Sequence, residues 1–202
     1  MRAPVAGRVK TRLAAKIGAQ AALRVYRRLA EHAVAEARAL GADVSLRIHF
    51  TPADAGEAVR AWLGAGAEYL PQAEADLGAR MWAAFEAAFA AGFRRVVIIG
   101  SDLPDLSRIV LRRAFDLLDT HPAVLGPARD GGYYLLGMRE MVSGIFDDVP
   151  WSTTQVLAVT LERLRAAGVS AAMLETLGDV DEAADLPAGW RAWAMDTEGA
   201  AA

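Results

Sequence analysis

Helical and strand patterns alternate along this chain, and the alternation restricts its fold more than any other feature. Residues 19–40 place apolar side chains at three- and four-residue spacing, whereas residues 44–50 alternate apolar and polar side chains. The rest of the chain continues this alternation, with helices predicted at 76–91, 107–119 and 153–167, and strands at 95–100, 123–125, 133–138 and 170–174. The sequence therefore predicts an α/β sheet with helices on both faces.

The chain is long enough for one hydrophobic core. It has 202 residues, of which 54% are hydrophobic and 23% are charged. These values are typical of a globular domain and argue against disorder. Because no linker interrupts the pattern, we expect residues 1–202 to form a single domain.

The composition excludes several kinds of chemistry. The chain has no cysteine, which rules out disulfides, thiolate nucleophiles and cysteine-bound metals. The histidines His32, His49 and His121 are scattered, and we interpret them as surface or packing residues instead of metal ligands. The formal net charge of −3 does not indicate a nucleic-acid-binding protein. Without a long apolar run or a signal peptide, the chain is expected to be cytoplasmic and not to bind a membrane.

Asp102 is the sharpest candidate for a site residue. It follows the β-branched run at 95–100, which is typical of a strand buried on both faces. Ligands of α/β sheets bind at the carboxyl ends of strands, and a carboxylate there suits a divalent cation that bridges to substrate phosphates. The alternative is a helix cap, for which Asp105 and Ser107 are better placed.

Basic side chains are concentrated near the start of the sequence. Arg8, Lys10 and Arg12 lie on a loop, and Lys16 follows. We interpret them as an anion site; a solvated terminus is the alternative. The chain has no GxxxxGK[ST], GxGxxG or GxSxG motif, which disfavours P-loop enzymes, dinucleotide-binding dehydrogenases and α/β-hydrolases.

Two adjacent glycines, Gly131 and Gly132, precede the strand predicted at 133–138. Such glycines suit a backbone that approaches a ligand or forms a bulge. Asp130 could then hold an acceptor or act as a base, and Tyr133 or Tyr134 could line a ring-binding wall. A hairpin with an Asp-Gly turn explains the same residues equally well.

Trp151, Ser152 and Thr153 precede another predicted helix. Ser152 or Thr153 would be its N-cap, and the N-terminus of that helix could bind an anion.

Asp179 and Asp181 follow the last predicted strand. They could complete a Mg²⁺ site with Asp102, or they could be the capped start of a short helix. Trp190 and Trp193 either form an apolar patch for a homodimer or belong to a last helix that closes the core, and we favour the core.

Six motifs together resemble a known family. They are GRVKTRL at 7–13, DLGARM at 76–81, VVIIGSDLP at 96–104, LGPARDGGYYLLG at 125–137, WST at 151–153 and DVDEAADL at 179–186. In this order, over about residues 2–187, they resemble the bacterial radical-SAM/selenodomain-associated, or arsenosugar-type, glycosyltransferases. That family belongs to the nucleotide-diphospho-sugar transferase superfamily and is similar in outline to molybdenum-cofactor and phospholactate guanylyltransferases.

The resemblance implies a three-layer, Rossmann-like GT-A fold with a mixed, mostly parallel sheet. It also implies roles for the candidate residues. Asp102 would bind the metal with Asp181 or Asp179, Lys10 and Arg12 would hold phosphates, and the Asp-Gly-Gly of 130–132 would lie on the acceptor side. From the residues themselves we add candidates beside these: Arg8, Lys16 and Ser101 for the phosphates, Asp130 as a catalytic group, and Tyr133, Trp151, Ser152 and Thr153, with Gly131 and Gly132, for the acceptor. Relatives begin with a hydrophobic strand before the basic loop, whereas this sequence starts at the loop, so the first strand is absent from it. Either the start of the sequence is placed too late or the protein lacks this strand, and we expect the former.

The expected activity is a Mg²⁺- or Mn²⁺-dependent transfer from a nucleotide donor to a small acceptor, most simply glycosyl transfer from a nucleoside-diphosphate sugar. Two alternatives stay open: guanylyltransferase-like nucleotidyl transfer to a phosphorylated acceptor, and a non-catalytic binding module of the same fold. A phosphatase that uses Asp102 as its nucleophile is disfavoured, because Pro104 occupies the position of the expected second aspartate.

Overall fold

The computed structural model describes residues 1–196. Its helices are α1 (Thr11–Ile17), α2 (Ala19–Arg38), α3 (Gly56–Leu63), α4 (Leu77–Ala90), α5 (Arg108–Leu117), α6 (Val156–Ala166) and α7 (Trp190–Met195), with a 3₁₀ turn at Ala53–Ala55. Its strands are β1 (Arg47–Phe50), β2 (Glu68–Pro71), β3 (Val96–Ile99), β4 (Ala123–Pro127), β5 (Tyr133–Met138) and β6 (Ala171–Met173). Within these residues, every helix is too short or too polar to traverse a lipid bilayer.

The chain divides into two compact units. The first contains Met1–Leu70, Ser101–Asp105 and the described part of Gly178–Ala202, and the second contains Pro71–Gly100 and Leu106–Leu177. The expectation of a single domain for residues 1–202 stays a prediction.

The first unit is built around α2. The apolar stripe of this helix buries Ala22, Val25 and Leu29 completely against α1 and α7. Sequence periodicity predicted this helix because the stripe repeats over more than five turns. A second core of the unit lies beneath α3 and the two-stranded sheet of β1 and β2.

Helix α7 is fastened to α2 by arginine side chains. The Arg28 guanidinium lies 4.4 Å from the ring centre of Trp190 and 4.5 Å from that of Trp193, and Arg24 donates to the Ala194 carbonyl. Ala194 is fully buried. This packing agrees with the interpretation of the segment as the last helix of the core, while self-association through it stays a prediction.

The second unit contains a four-stranded mixed sheet in the order β3-β5-β4-β6. β5 is antiparallel to both β3 and β4, and β4 is parallel to β6. β3, β4 and β6 therefore run in one direction and β5 in the other. Helix α4 packs Phe85 into the core beside Leu125 and Leu136 of the sheet. The predicted α/β class with a mixed sheet is confirmed.

One expectation about β3 is wrong. Its continuous apolar sequence predicted burial on both faces, yet each of its four residues is only half-buried. β3 lies at the end of the strand order of this sheet, and an edge strand is covered less completely than a central one.

Candidate functional site

The first unit contains an open cleft of about 320 Å³. Charged side chains of both signs line it. The basic ones are Arg2, Arg8 and Lys10, the acidic ones are Asp102 and Asp181, and Thr11, Tyr26 and Ser101 add hydroxyl groups. The cleft thus contains predicted phosphate-binding residues together with predicted metal-binding residues.

Lys10 enters the cleft from the turn that begins α1. Its backbone is left-handed, with φ 47° and ψ 50°, and it occupies the N-cap position without a side-chain cap. This conformation costs a non-glycine residue about 1–2 kcal/mol, so the surrounding contacts must hold it in place. The principal contact is an ion pair, with Lys10 Nζ 2.7 Å from Asp102 Oδ2. The Lys10 side chain is only 6% exposed.

One carboxylate oxygen of Asp102 has no partner in the described chain. Its Oδ2 pairs with Lys10, whereas its Oδ1 is buried and has no hydrogen-bond partner in the described chain. The side chain as a whole is 40% exposed, so the burial concerns that one atom. An unpaired buried acceptor is costly, and it indicates a place where a donor or a cation can bind.

The segment around Asp181 lies beside Asp102. The Val180 amide donates to the Asp102 carbonyl over 2.9 Å, and Asp181 Oδ2 lies 2.5 Å from Arg12 Nη1. The Asp185 carboxylate accepts from the amides of Asp181 and Glu182 and closes the turn. The structure therefore brings Asp181 to the same cleft as Asp102, where each acidic side chain is paired with a basic one.

Sequence reasoning missed Tyr26, which fixes the loop at the mouth of the cleft. Its hydroxyl accepts from the Arg2 amide over 2.8 Å and donates to the Arg2 carbonyl over 2.6 Å. Burial raises the pKa of Tyr26 to about 12, so the hydroxyl stays protonated and can donate at neutral pH. Tyr26 falls within the apolar stripe of α2, where a tyrosine looks like a core residue; its polar tip was the available signal.

Not every predicted phosphate-binding residue lies in the cleft. Arg8 and Ser101 line it, and Arg12 reaches it through its pair with Asp181. Lys16 lies exposed in the last turn of α1 and is not one of the described residues that line the cleft. A role for Lys16, or for Asp179, stays a prediction.

The second unit contains the predicted acceptor segment, which forms the hairpin between β4 and β5. The Asp130 Oδ1 accepts from the Gly132 amide over 2.8 Å and closes the turn. Gly131 has a φ of +89°, and a Cβ on it would lie 2.3 Å from the Thr154 carbonyl oxygen. Gly131 therefore allows a close approach of two backbones of this chain, and the hairpin interpretation accounts for the turn.

The two tyrosines after this turn are packed inside the second unit. The Tyr133 hydroxyl lies 4.0 Å from Met81 Sδ, and burial raises its pKa. The Tyr134 hydroxyl donates to the Glu175 carbonyl, and its ring lies against Gly126. These contacts favour a packing role for both rings over a ring-binding wall.

The predicted N-cap at Ser152 or Thr153 is wrong. α6 begins at Val156, after Gln155, and has no side-chain cap. Ser152 is left-handed, with φ 64°, and Thr153 donates its hydroxyl to the Pro150 carbonyl over 2.7 Å. Ser152 and Thr153 therefore belong to a tight turn, and α6 begins only after this turn. Acceptor binding by Trp151, Ser152 and Thr153 stays a prediction.

The acidic residues of the cleft fit a cation that arrives with a phosphate ligand. Within residues 1–196, no group of three or more histidine, aspartate or glutamate side chains is arranged to hold a metal ion. Mg²⁺ and similar ions are commonly held by one or two carboxylates, with water and substrate phosphates completing the shell. The unpartnered Oδ1 of Asp102 and the carboxylate of Asp181 match that smaller requirement.

Comparison with known proteins identifies the family and the fold. Residues 33–153 match a family described as “Uncharacterized protein conserved in bacteria (DUF2064)”. A “putative nucleotide-diphospho-sugar transferase” from Desulfovibrio desulfuricans G20 is similar over 90% of this chain and 80% of its own, with 35% identity and a TM-score of 0.85. No curated protein matches the sequence.

Two more distant structures share the fold. CMP:2-keto-3-deoxy-manno-octonic acid synthetase in complex with CTP has a TM-score of 0.54 at 15% identity, over 77% of this chain and 83% of its own. Rv0371c from Mycobacterium tuberculosis H37Rv in complex with manganese has a TM-score of 0.51 at 19% identity, over 79% and 82%. At these identities the similarity concerns the fold alone. The resemblance to the radical-SAM/selenodomain-associated glycosyltransferases in particular stays a prediction. The chain therefore belongs to the bacterial DUF2064 family and has the fold of the nucleotide-diphospho-sugar transferases.

Proposed function

We propose that this chain is a transferase that uses a nucleotide-activated donor, and that the cleft of the first unit binds the donor's phosphates. The observation that supports this most directly is the ion pair between Lys10 and Asp102. The Oδ1 atom of Asp102 is buried without a hydrogen-bond partner. Basic groups for phosphate and a free carboxylate oxygen for a cation are the two requirements of such a site.

The side chains of the cleft have distinct roles in this proposal. Lys10, with Arg8 and Arg12, takes up phosphate charge, and Asp102 with Asp181 holds Mg²⁺ or Mn²⁺. When bound, the cation would neutralise negative charge that develops on the departing group. The manganese complex of Rv0371c, a protein of similar fold, supports the choice of metal. Lys10 is nearly buried, so its attraction to a phosphate is screened little by solvent.

Glycosyl transfer from a nucleoside-diphosphate sugar to a small acceptor is the form of the reaction that we favour. The relative with 35% identity is described as a nucleotide-diphospho-sugar transferase. Asp130, exposed at the turn between β4 and β5, is our candidate for the group that holds or deprotonates the acceptor. Nucleotidyl transfer is the second candidate, since a synthetase solved with CTP shares the fold.

A ligand screen tests the proposal. Thermal unfolding is measured with a panel of nucleoside triphosphates and nucleotide sugars, each with Mn²⁺. A ligand at 100 times its dissociation constant should stabilise the protein by about 2.7 kcal/mol. In turnover with that ligand, release of a nucleoside diphosphate would indicate glycosyl transfer, and release of pyrophosphate would indicate nucleotidyl transfer.

Asp102→Asn is the critical variant for this screen. It should stay folded, although less stable because Lys10 loses its counter-charge, and it should lose the Mn²⁺-dependent part of the ligand stabilisation. Asp119→Asn is the matched control, because Asp119 forms an exposed 2.6 Å pair with Arg95 and does not line the cleft. Full Mn²⁺-dependent turnover in Asp102→Asn would reject the assignment. A panel in which no ligand stabilises the wild type would favour a non-catalytic module.

A further inference from the structure

The opposite charges at the cleft form two ion pairs. Lys10 Nζ lies 2.7 Å from Asp102 Oδ2, and Arg12 Nη1 lies 2.5 Å from Asp181 Oδ2. In both pairs, a side chain proposed to bind phosphate is held by a side chain proposed to bind the cation. The two segments are linked through the hydrogen bond from the Val180 amide to the Asp102 carbonyl.

We infer that the Lys10–Asp102 pair couples phosphate binding to cation binding, so that the two ligands bind together more tightly than either binds alone. This inference rests on the proposed function and adds a role for the ion pair itself. A phosphate that coordinates the cation couples the two ligands in any such site, and the pair strengthens that coupling because each ligand releases the side chain that the other one needs.

The coupling follows from the burial of Lys10. Its side chain is 6% exposed, and within the described chain its ammonium has Asp102 as its ion-pair partner. A phosphate that binds alone must compete with Asp102 for Lys10 and leaves the carboxylate without a counter-charge. A cation that binds alone leaves Lys10 in the same state. Leaving a buried charge uncompensated is costly, and this applies above all to Lys10, because the Asp102 side chain is 40% exposed.

Joint binding avoids that cost. The phosphate becomes the partner of Lys10 while the cation becomes the partner of Asp102, and both charges stay balanced. Asp102 Oδ1 is buried and unpartnered, so the carboxylate has an oxygen ready for this exchange. Because linkage is reciprocal, each ligand must raise the affinity for the other by the same factor.

The Arg12–Asp181 pair should contribute much less. The two acidic side chains are about equally exposed, Asp102 at 40% and Asp181 at 41%, but the Arg12 side chain is 69% exposed whereas that of Lys10 is 6% exposed. Exposed ion pairs are weak, because water and salt screen them and ordering two side chains costs entropy. We therefore assign the coupling to Lys10 and Asp102.

Two variants test the inference with one ligand at a time. Pyrophosphate is titrated by calorimetry in EDTA, and Mn²⁺ is titrated alone by electron paramagnetic resonance. Asp102→Asn, which frees Lys10, should bind pyrophosphate about tenfold more tightly than the wild type, within the range typical of coupled sites. Lys10→Met, which keeps the stem and frees Asp102, should bind Mn²⁺ about tenfold more tightly.

The controls use the surface pair of the second unit. Asp119→Asn and Arg95→Met change the same kinds of side chain in a 2.6 Å pair that does not line the cleft, and both affinities should stay at the wild-type value. Circular dichroism confirms that each variant is folded.

The failures of the two proposals are distinguishable. If the wild type binds both probes and the variants bind them no more tightly, the coupling is wrong and the donor site stands. If folded wild type and variants bind neither probe at millimolar concentration, the donor site is wrong, and the coupling falls with it.

Discussion

Gly78 lies directly against the indole of Trp151. A Cβ on Gly78 would stand 3.0 Å from Trp151 Cζ2 and 3.1 Å from Phe146 Cβ, closer than side chains normally approach. The contact joins two of the sequence motifs, at 76–81 and 151–153, within the second unit. The glycine of the first motif leaves the space that the tryptophan of the second motif fills.

Gly78→Leu should expel the Trp151 ring from this position. Overfilling a packed contact costs about 1–3 kcal/mol, so the free energy of unfolding measured in urea should fall by that amount. Ala87→Leu adds the same side chain at an exposed position of α4 and should change stability by less than about 0.5 kcal/mol. If the two variants had equal free energies of unfolding, the Trp151 ring would be able to move aside without loss of stability.

Gly131→Ala should destabilise the turn between β4 and β5 more than Gly41→Ala destabilises the end of α2. Both glycines have a φ of +89°, but a Cβ would lie 2.3 Å from the Thr154 carbonyl oxygen at Gly131 and would meet nothing within 4 Å at Gly41. The left-handed backbone alone costs about 1–2 kcal/mol, and the clash should raise the total at Gly131 to about 3 kcal/mol. Chemical denaturation of both variants measures the difference, which would vanish if Thr154 moved freely.

Most of the predicted elements lie close to their predicted bounds, from the long helix α2 to the short strands β4 and β6. Periodicity identified α2, whereas β4 and β5 were recognised as short apolar runs, which the sheet buries. The sequence did not predict α1, α3 or β2, which are short and lack an apolar run or a repeated apolar spacing long enough to recognise. Ser152 shows a further reason for error, because its left-handed turn moved the start of α6 beyond the residue that looked like a cap.

The sequence named residues that share the cleft but not the contacts between them. Asp102 was proposed because it follows an apolar strand, where ligand sites of α/β proteins occur, and it lines the cleft with Lys10 and Asp181; their role as a site stays a prediction. Its pairing with Lys10 depends on two segments distant in sequence, and no local pattern encodes that distance. Tyr26 was missed because its ring fits the apolar spacing of α2 and therefore looks like a core residue. Its hydroxyl, however, bonds to the Arg2 backbone.

Tyr26→Phe should loosen the loop at the cleft. It removes two hydrogen bonds to the Arg2 backbone, which should lower the free energy of unfolding by about 1–2 kcal/mol and weaken pyrophosphate binding. Tyr69→Phe is the control, because it removes a 2.6 Å hydrogen bond to the Gly64 carbonyl without lining the cleft. An unchanged affinity in Tyr26→Phe would show that the loop keeps its shape without the clamp.

High pH should affect Tyr26 in a defined direction. Its pKa is raised by burial from 10.0 to about 12, so the folded state favours the protonated form. The stabilisation is fully present below pH 10 and is lost as the pH rises from 10 towards 12. Urea midpoints measured across that interval should fall more steeply for the wild type than for Tyr26→Phe; parallel curves would contradict this.

His49 should make the protein less stable in mild acid. Burial lowers its pKa below the ordinary value of 6.5, so the unfolded chain binds a proton more readily than the folded one. Stability is therefore present above about pH 6.5 and falls as the pH drops towards the folded pKa. His49→Gln should reduce the slope of the urea midpoint between pH 7 and pH 5, and identical slopes would exclude His49 as a source of the effect.

The discontinuity of the first unit has a consequence for biosynthesis. Its cleft takes Lys10 from the first stretch of the chain, Asp102 from the middle and Asp181 from the last. A ribosome that has released residues 1–177 has supplied every residue of the second unit, while the first still lacks its acidic turn and α7. Contacts between such distant residues form late, because long loops must close first. The nascent chain should therefore acquire its charge-paired cleft only after translation has passed Asp181.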